Sequence, residues 1–327
     1  MKAFDYAKPG AEADAIERGQ SETARFIAGG TLLVDLLRLN VEQPDLVVDV
    51  TGLPLATLED NADGLKIGAL VRNSDLALHP TVLRDFPVLS QALLAGASPQ
   101  IRNMATLGGN LLQRTRCAYF RDVGVSACNK RKPGSGCAAI DGYSRMHAVL
   151  GVSEQCIAAH PSDMCVALLA LDAVVHTRGP HGERSISLAD FHTLPGSQPQ
   201  IESVLERGEL VTGVSVPRSA FATHSAYVKA RDRASYAFAL ASAGVALELE
   251  GGKIKQARVA LGGVGSKPWR CPEVEQALLG QPATSEAFRA AALLALREAK
   301  TTRDNQFKVE LARRVVARAL AQAGSVT

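Results

Sequence analysis

The sequence predicts an α+β protein, with a mixed first part of about 210 residues and a smaller antiparallel sheet followed by helices. Three observations carry this. Short strands and helices alternate through the first part. Three runs, SAYVKAR, YAFALASAGVALELE and KIKQARVALGG, read as antiparallel strands, with Gly251-Gly252 turning between the last two. The segments after them, PEVEQALLG, SEAFRAAALLALREA and FKVELARRVVARALAQA, read as helices, the last two amphipathic. No internal repeat and no low-complexity tract interrupts the pattern.

Taken in order, Phe4 and Tyr6 mark a short strand, followed by a Pro-Gly turn and a helix with Ala11, Ala15 and Ile16 on its apolar side. Phe26 and Ile27 make a brief strand, Ala28 to Thr31 a tight turn, and Leu32 to Leu39 a helix that Thr31 is placed to cap. DLVVDV at 45–50 is a buried strand. A hairpin follows with Asn61 to Gly64 as its turn. Asn73 or Ser74 is placed to cap a short helix ending at His79-Pro80, and residues 86–97 form a Leu- and Ala-rich helix. ASPQIRNMATLGGNLLQR reads as an irregular polar segment. HPSDMCVALLALDA is a helix starting at Ser162 or Asp163. AVVHTRGPHGERSISL is a hairpin around Gly179 to Gly182, LADFH opens a short helix, and 193–209 is a connection. ELVTGVSVP, near 209–217, opens a different pattern.

Composition narrows the function classes. A chain of 327 residues suits two or three domains, with 46% apolar and 21% charged residues as in ordinary globular proteins. The net charge of +3 forms no continuous basic arm, so nucleic-acid binding is not implied. The N-terminal stretch has no apolar h-region, and no apolar run is long enough to span a bilayer. The expectation is a chain without its own signal peptide, cytoplasmic unless a signal-bearing partner exports it. That setting argues against structural disulfides.

The stretch from Cys117 to Cys156 holds four of the six cysteines, with ten, eight and eighteen residues between successive ones. Its middle, NKRKPGSGC, has loop composition, and a loop this long needs something to order it. One metal centre held by four thiolates would do so. Arg114, Arg116, Arg121, Lys130, Arg131 and Lys132 make the region basic, which suits an anionic iron–sulfur cluster. Zinc is less favoured, because no tight C-x2-C pair occurs. Buried thiols acting as small hydrophobes remain the plain alternative. His147 and His160 flank the region, but four cysteines already suffice.

Ala28-Gly29-Gly30-Thr31 is a small-residue turn between a strand and a helix, the kind that lets backbone N–H groups approach a phosphate. It is neither G-x-G-x-x-G nor a P-loop. Thr106-Leu107-Gly108-Gly109-Asn110 is a second such turn. Two of them suggest a dinucleotide held from two sides; otherwise Thr106 and Asn110 bond their own backbone. Asp163 is either a sugar-hydroxyl acceptor or a helix cap. Lys229 and Arg231 share one strand face and could place a cation over a ligand. No Ser-His-Asp elbow and no carboxylate pair stands out, so no catalytic residue is assigned.

FIAGGTLLVDLLRL, ASPQIRNMATLGGNLLQ, HPSDMCVALLALDA and KARDRASYAFALASAGVAL together resemble the FAD-binding subunits of the xanthine dehydrogenase and molybdenum hydroxylase family. CNKRKPGSGC narrows the resemblance to the FAD and [4Fe–4S] subunits of bacterial periplasmic aldehyde oxidoreductases. The resemblance covers nearly the whole chain. It implies a two-part FAD-binding domain of the vanillyl-alcohol oxidase and p-cresol methylhydroxylase type over 1–215, with subdomains of about 1–55 and 56–215 and a cluster loop at 114–157. A small domain of the CO dehydrogenase flavoprotein C-terminal type, with a three-stranded antiparallel sheet and helices, would fill 216–327. Ala28, Gly29, Gly30, Thr31, Leu32 and Leu33 match the first pyrophosphate motif, and Thr106, Gly109 and Asn110 the second. Ser98, Ile101 and Arg102 lie on its approach. Asp163 matches the residue that holds ribityl or ribose hydroxyls, and Lys229 a lysine near the flavin. Cys117, Cys128, Cys137 and Cys156 match the ligands of a [4Fe–4S] cluster, whereas Cys165 and Cys271 match none.

The function so implied is an electron-transfer subunit of a heterotrimer. A large molybdenum-cofactor partner would oxidise an aldehyde, a small [2Fe–2S] subunit would pass electrons on, and FAD here would deliver them to an external acceptor. Two other readings compete: a stand-alone FAD-dependent dehydrogenase or oxidase, which lacks a visible catalytic base, and a zinc-stapled module with no redox role.

Overall fold

The computed structural model describes residues 1–219 and 221–325. The chain opens with β1 (Asp5–Ala7), α1 (Glu12–Gly19), β2 (Ala24–Ile27), α2 (Leu33–Arg38) and β3 (Leu46–Asp49). The three strands form a parallel sheet in the order β1-β3-β2. Ala15 and Ile16 of α1 pack on Val48, Val50 and Leu53 in a small core. Thr31 does not cap α2: the cap position is Leu32, with no side-chain bond to the helix.

A second layer follows. β4 (Leu58–Asn61) and β5 (Gly64–Gly68) form the expected hairpin, its turn fixed by Asn61 Oδ1 accepting the N–H groups of Asp63 and Gly64. Next come α3 (Asn73–Leu78), α4 (Pro80–Asp85), α5 (Pro87–Ala95), α6 (Pro99–Arg102) and α7 (Leu107–Leu111). Neither Asn73 nor Ser74 caps α3; Arg72 holds that position, without a side-chain bond. The segment expected to be irregular contains α6 and α7, single turns capped by Ser98 and Thr106. Such short turns carry no apolar periodicity to betray them.

The cysteine loop carries α8 (Ala118–Arg121) and α9 (Ala138–Asp141) and leads into α10 (Asp163–Ala170). Then come β6 (Val174–Gly179), β7 (Gly182–Ser187), α11 (Leu188–Phe191) and β8 (Leu210–Pro217). These complete a five-stranded antiparallel sheet in the order β4-β5-β8-β6-β7. ELVTGVSVP therefore closes the first part as its central strand and does not open the second.

β9 (Ser225–Ala230), β10 (Ala241–Glu250), β11 (Lys253–Gly262) and β12 (Trp269–Arg270) make a sheet in the order β12-β11-β10-β9. It has four strands where three were expected, because a two-residue strand leaves no alternation to read. The helices α12 (Pro272–Leu278), α13 (Ser285–Ala292) and α14 (Phe307–Ser325) cover one face. α13 stops well short of the run that suggested it.

α10 explains how the two parts join. All eight of its residues are buried, because it packs between α5 on one side and β10 and β11 on the other. A helix enclosed on both sides is apolar all round. A Cβ on Gly262 would run into Val166, so this glycine lets the sheet close on the helix. The start of α10 is thereby pinned at the seam between the two parts.

Lys308, on α14, is fully buried, and its ammonium donates to the Gly263 carbonyl at 2.8 Å. Burial pushes its pKa from 10.5 down to about 7. Below about pH 7 the folded and unfolded chains both carry this charge, and the burial penalty acts in full. Between about pH 7 and 10.5 the unfolded chain binds more protons, so the penalty fades and this group's contribution to stability rises. Lys308→Met should therefore be more stable than the parent in urea titrations at pH 6.5, with an advantage that shrinks as pH rises toward 9. A constant or growing advantage would contradict the assignment.

Candidate functional site

The first Gly-Gly turn packs against the residues that lead into the second. Gly29 lies against the backbone of Met104 and Ala105, and a Cβ there would overlap the Met104 carbonyl group. Gly30 adopts φ +70°, the left-handed conformation that suits glycine and turns the chain into α2. Gly108 packs on Ala69, and Thr106 Oγ1 accepts the Gly109 N–H at 3.3 Å. The side chain of Thr106 is thus committed to its own turn.

Two cavities of about 710 Å³ each open from this contact. Thr31, Leu32, Gly109, Gln113 and Pro161 border both. Ala28, Gly29, Gly30, Leu33 and Thr106 line the first, which runs under β2 toward Arg25, Gln200 and Arg207. Ile101, Arg102, Asn110, Asp163 and Lys229 line the second, with Asn73, Arg116, Tyr236 and Phe238. Ser98 borders neither; its hydroxyl oxygen accepts the Ile101 N–H and caps α6. Asn110 Oδ1 accepts from Ser162 Oγ at 2.8 Å and from Gln113 Nε2, which ties the second turn to the start of α10.

Ser162, not Asp163, caps α10, by accepting the Cys165 N–H. The Asp163 carboxylate is left to accept from Lys229 Nζ at 2.7 Å and from Tyr227 OH at 2.5 Å. The Lys229 and Asp163 side chains are only 4% and 9% exposed, so the pair spans the seam in a low-dielectric setting. Lys229 and Arg231 do share a face: both donate to the Ala95 carbonyl at the end of α5. Tyr227 was not singled out from sequence, although its i, i+2 relation to Lys229 places it on the same strand face. Arg116 was noted only for its charge. It lies 4.9 Å over the Phe238 ring and shares Asp35 with Arg121.

The four loop cysteines converge. Cys117, Cys128, Cys137 and Cys156 all line one small cavity, and Cys128 and Cys137 pair backbone to backbone. Burial pushes the Cys117 thiol up to about 12, and burial also raises Cys156, partly offset by Lys130. Ala158 N–H donates to Cys156 Sγ at 3.4 Å, and His147 Nε2 lies 3.1 Å from Cys117 Sγ. Four thiols ringing one cavity, those of Cys128 and Cys156 buried and those of Cys117 and Cys137 half-buried, fit a metal centre, which would hold them ionised. A tetrahedral zinc would draw the sulfurs to within ~3.8 Å of one another. Among the described residues no three of these sulfurs fall within even 4.8 Å, so the wider spacing suits a larger cluster.

A second His/Cys group, His160, Cys165 and His192, does fall within 4.8 Å. Its hydrogen bonds argue for packing. His160 Nδ1 accepts the Ser162 N–H at 3.3 Å, which puts the proton on Nε2. His192 Nε2 donates to the Leu111 carbonyl at 3.0 Å, which leaves a lone pair on Nδ1. The two free atoms are a matched donor and acceptor, in rings 4.5 Å apart, and His160 Nε2 has no lone pair for a metal.

The family profile described as the FAD binding domain in molybdopterin dehydrogenase matches residues 2–219, and that of the CO dehydrogenase flavoprotein C-terminal domain matches 225–323. The chain belongs to the molybdopterin dehydrogenase FAD-binding family. It is an oxidoreductase subunit of α+β fold. The aldehyde oxidoreductase FAD-binding subunit PaoB of Escherichia coli is 53% identical over 326 residues, covering 99% of each chain. The 6-hydroxypseudooxynicotine dehydrogenase complex subunit alpha of Paenarthrobacter nicotinovorans is 29% identical, over 98% of this chain and 94% of its own. Among solved structures, quinoline 2-oxidoreductase from Pseudomonas putida superposes with a TM-score of 0.76 at 25% identity, covering 99% and 98% of the two chains.

Two substitutions test this site. Gly29→Val should force the two turns apart and strip FAD from the purified protein, measured by flavin release; full retention would contradict the close approach. Lys229→Met should leave Asp163 buried with only Tyr227, at a cost of about 3–5 kcal/mol, read as a lower urea midpoint. Unchanged stability would mean the pair is not buried in solution.

Proposed function

We propose that this chain is the FAD- and [4Fe–4S]-bearing electron-transfer subunit of a heterotrimeric, molybdenum-containing aldehyde oxidoreductase. The observation that carries the reading is the backbone contact between the first glycine turn and the residues that lead into the second, with a cavity on either side, in a chain so similar to PaoB. FAD would lie across the contact. Gly29 and Gly30 from the first turn and Gly109 from the second would border its pyrophosphate, Asp163 its sugar hydroxyls, and Lys229 the flavin ring in the second cavity. The adenylate would take the first. Cys117, Cys128, Cys137 and Cys156 would hold the cluster.

Bound FAD would take up electrons singly and release them in pairs, and the cluster would exchange one electron at a time. The chain's own residues hold and bias these groups. Lys130 borders both the first cavity and the cysteine cavity. Its ammonium donates to the Pro199 carbonyl at 2.7 Å and to Glu202 at 3.0 Å, a fixed positive charge between the two sites. Arg116 and Arg121, sharing the single carboxylate of Asp35, add positive charge beside the second cavity. Positive charge at both places favours the electron-rich states.

Aldehyde oxidation would occur in a large molybdenum subunit, with a small [2Fe–2S] subunit between it and this chain and an external acceptor beyond. Export, if it occurs, would depend on a signal-bearing partner. A stand-alone dehydrogenase is less well supported, because each carboxylate lining the second cavity is engaged in an ion pair: Asp163 with Lys229, Asp35 with Arg116 and Arg121, and Asp232 with Arg145. The test is Cys137→Ser. Iron should fall and residues 117–156 should become sensitive to protease, while FAD and binding to the co-expressed partner subunits are kept. Unchanged iron would remove Cys137 from the cluster.

A further inference from the structure

His147 is nearly fully buried, 5% exposed, and its one side-chain hydrogen bond of good geometry runs from Nε2 to Cys117 Sγ at 3.1 Å. Its backbone N–H donates to the Ser144 carbonyl, which fixes the residue at the end of the cysteine loop. The Tyr119 ring stands 6.1 Å away, and the Lys308 ammonium, from the C-terminal helix, is the charged group nearest it by electrostatic effect. Nδ1 is buried and makes no hydrogen bond of good geometry, the nearby Ser144 carbonyl acting on the ring only through its dipole. A neutral imidazole has one N–H and one lone pair. A sulfur bound to iron is a thiolate and only accepts. The N–H therefore belongs on Nε2, aimed at sulfur.

We propose that His147 is a positioning residue that donates this hydrogen bond to the Cys117 thiolate and raises the reduction potential of the centre the four cysteines hold. The inference rests on the [4Fe–4S] reading and deepens it. Hydrogen bonds to cluster sulfurs are one of the protein's means of setting potential. The positive end of the N–H dipole stabilises the electron density that reduction adds at sulfur. Reduction adds one electron to the centre; no bond forms or breaks, and the proton stays on Nε2. Lys308, held by the Gly263 carbonyl, acts electrostatically on this imidazole, and below about pH 7, where it carries its charge, it acts in the same direction. The effect makes the cluster a better acceptor than its four thiolates alone would allow. Because His147 belongs to the loop and Lys308 to α14, the two domains set this potential together.

The test compares the complete protein with His147→Phe, which keeps the ring volume without the donor, and His147→Gln, which restores a donor. Iron and FAD content are measured first. Redox titration with dithionite, followed by electron paramagnetic resonance, then gives the midpoint. His147→Phe should shift the cluster's equilibrium about tenfold toward the oxidised form, a fall of about 59 mV for a one-electron couple. His147→Gln should lie near the parent. The parent labelled with 15N-histidine should also show a weak nitrogen coupling in the reduced cluster's signal, a readout that does not depend on how either variant folds. A parent midpoint in iron-replete His147→Phe, or a parent signal with no histidine nitrogen coupling, would overturn the proposal. Iron-free parent protein is a separate outcome: it would remove the cluster reading itself, and this inference with it.

Discussion

The contact of Gly29 with the Met104 carbonyl is the constraint on which the rest of the site depends. It brings the turn after β2 against the segment between α6 and α7. No side chain fits between them. The N–H groups of Leu107, Gly108, Gly109 and Asn110 are committed within the fold, and the cavities open on either side of the contact. A dinucleotide with a charged centre and two bulky ends matches that shape. The oxidoreductase chemistry is the cofactor's; the fold supplies a narrow waist with room beyond it.

The second element is the seam at α10. Because this helix is enclosed by α5, β10 and β11, its first residue is fixed with respect to both domains. Asp163 sits there and meets Lys229 and Tyr227 from the C-terminal sheet. A buried ion pair of this kind adds little net stability, but breaking it is costly. Its role here is registration, since it sets where β9 lies above the second cavity. The cysteine loop is tied in the same way. Arg114 bridges Glu42 and Glu202, Lys130 reaches Glu202, and Arg131 donates to four loop carbonyls, those of Tyr119, Phe120, Asp122 and Val125. The loop's basic residues serve its own architecture as much as the charge of any centre it holds.

Much of this was legible in the sequence, for definite reasons. The hairpin at Asn61–Gly64, the Ser162 start of α10 and the amphipathic C-terminal helices carry local signals that the structure repeats. Both Gly-Gly turns were visible, and so were the four cysteines. What was not legible is mostly non-local or too short. β12 and the turns α6 and α7 are too brief for periodicity. Thr31 looked like a cap because it precedes a helix, yet it borders the cavities instead. β8 appeared to begin the second domain, because strand patterning does not say which neighbours a strand will find. The closeness of Gly29 to Met104 and of His147 to Cys117 depends on tertiary folding alone. Of the residues matched by resemblance, Ser98 is the one whose side chain serves its own helix away from both cavities.

The most direct measurement is the FAD and iron content of anaerobically purified protein, with its absorbance spectrum. The account predicts one FAD and about four irons per chain, with flavin bands over a broad iron–sulfur absorbance. FAD without iron, in protein shown not to have lost metal during purification, would contradict the cluster. Absence of both would contradict the reading of the two glycine turns as a cofactor clamp.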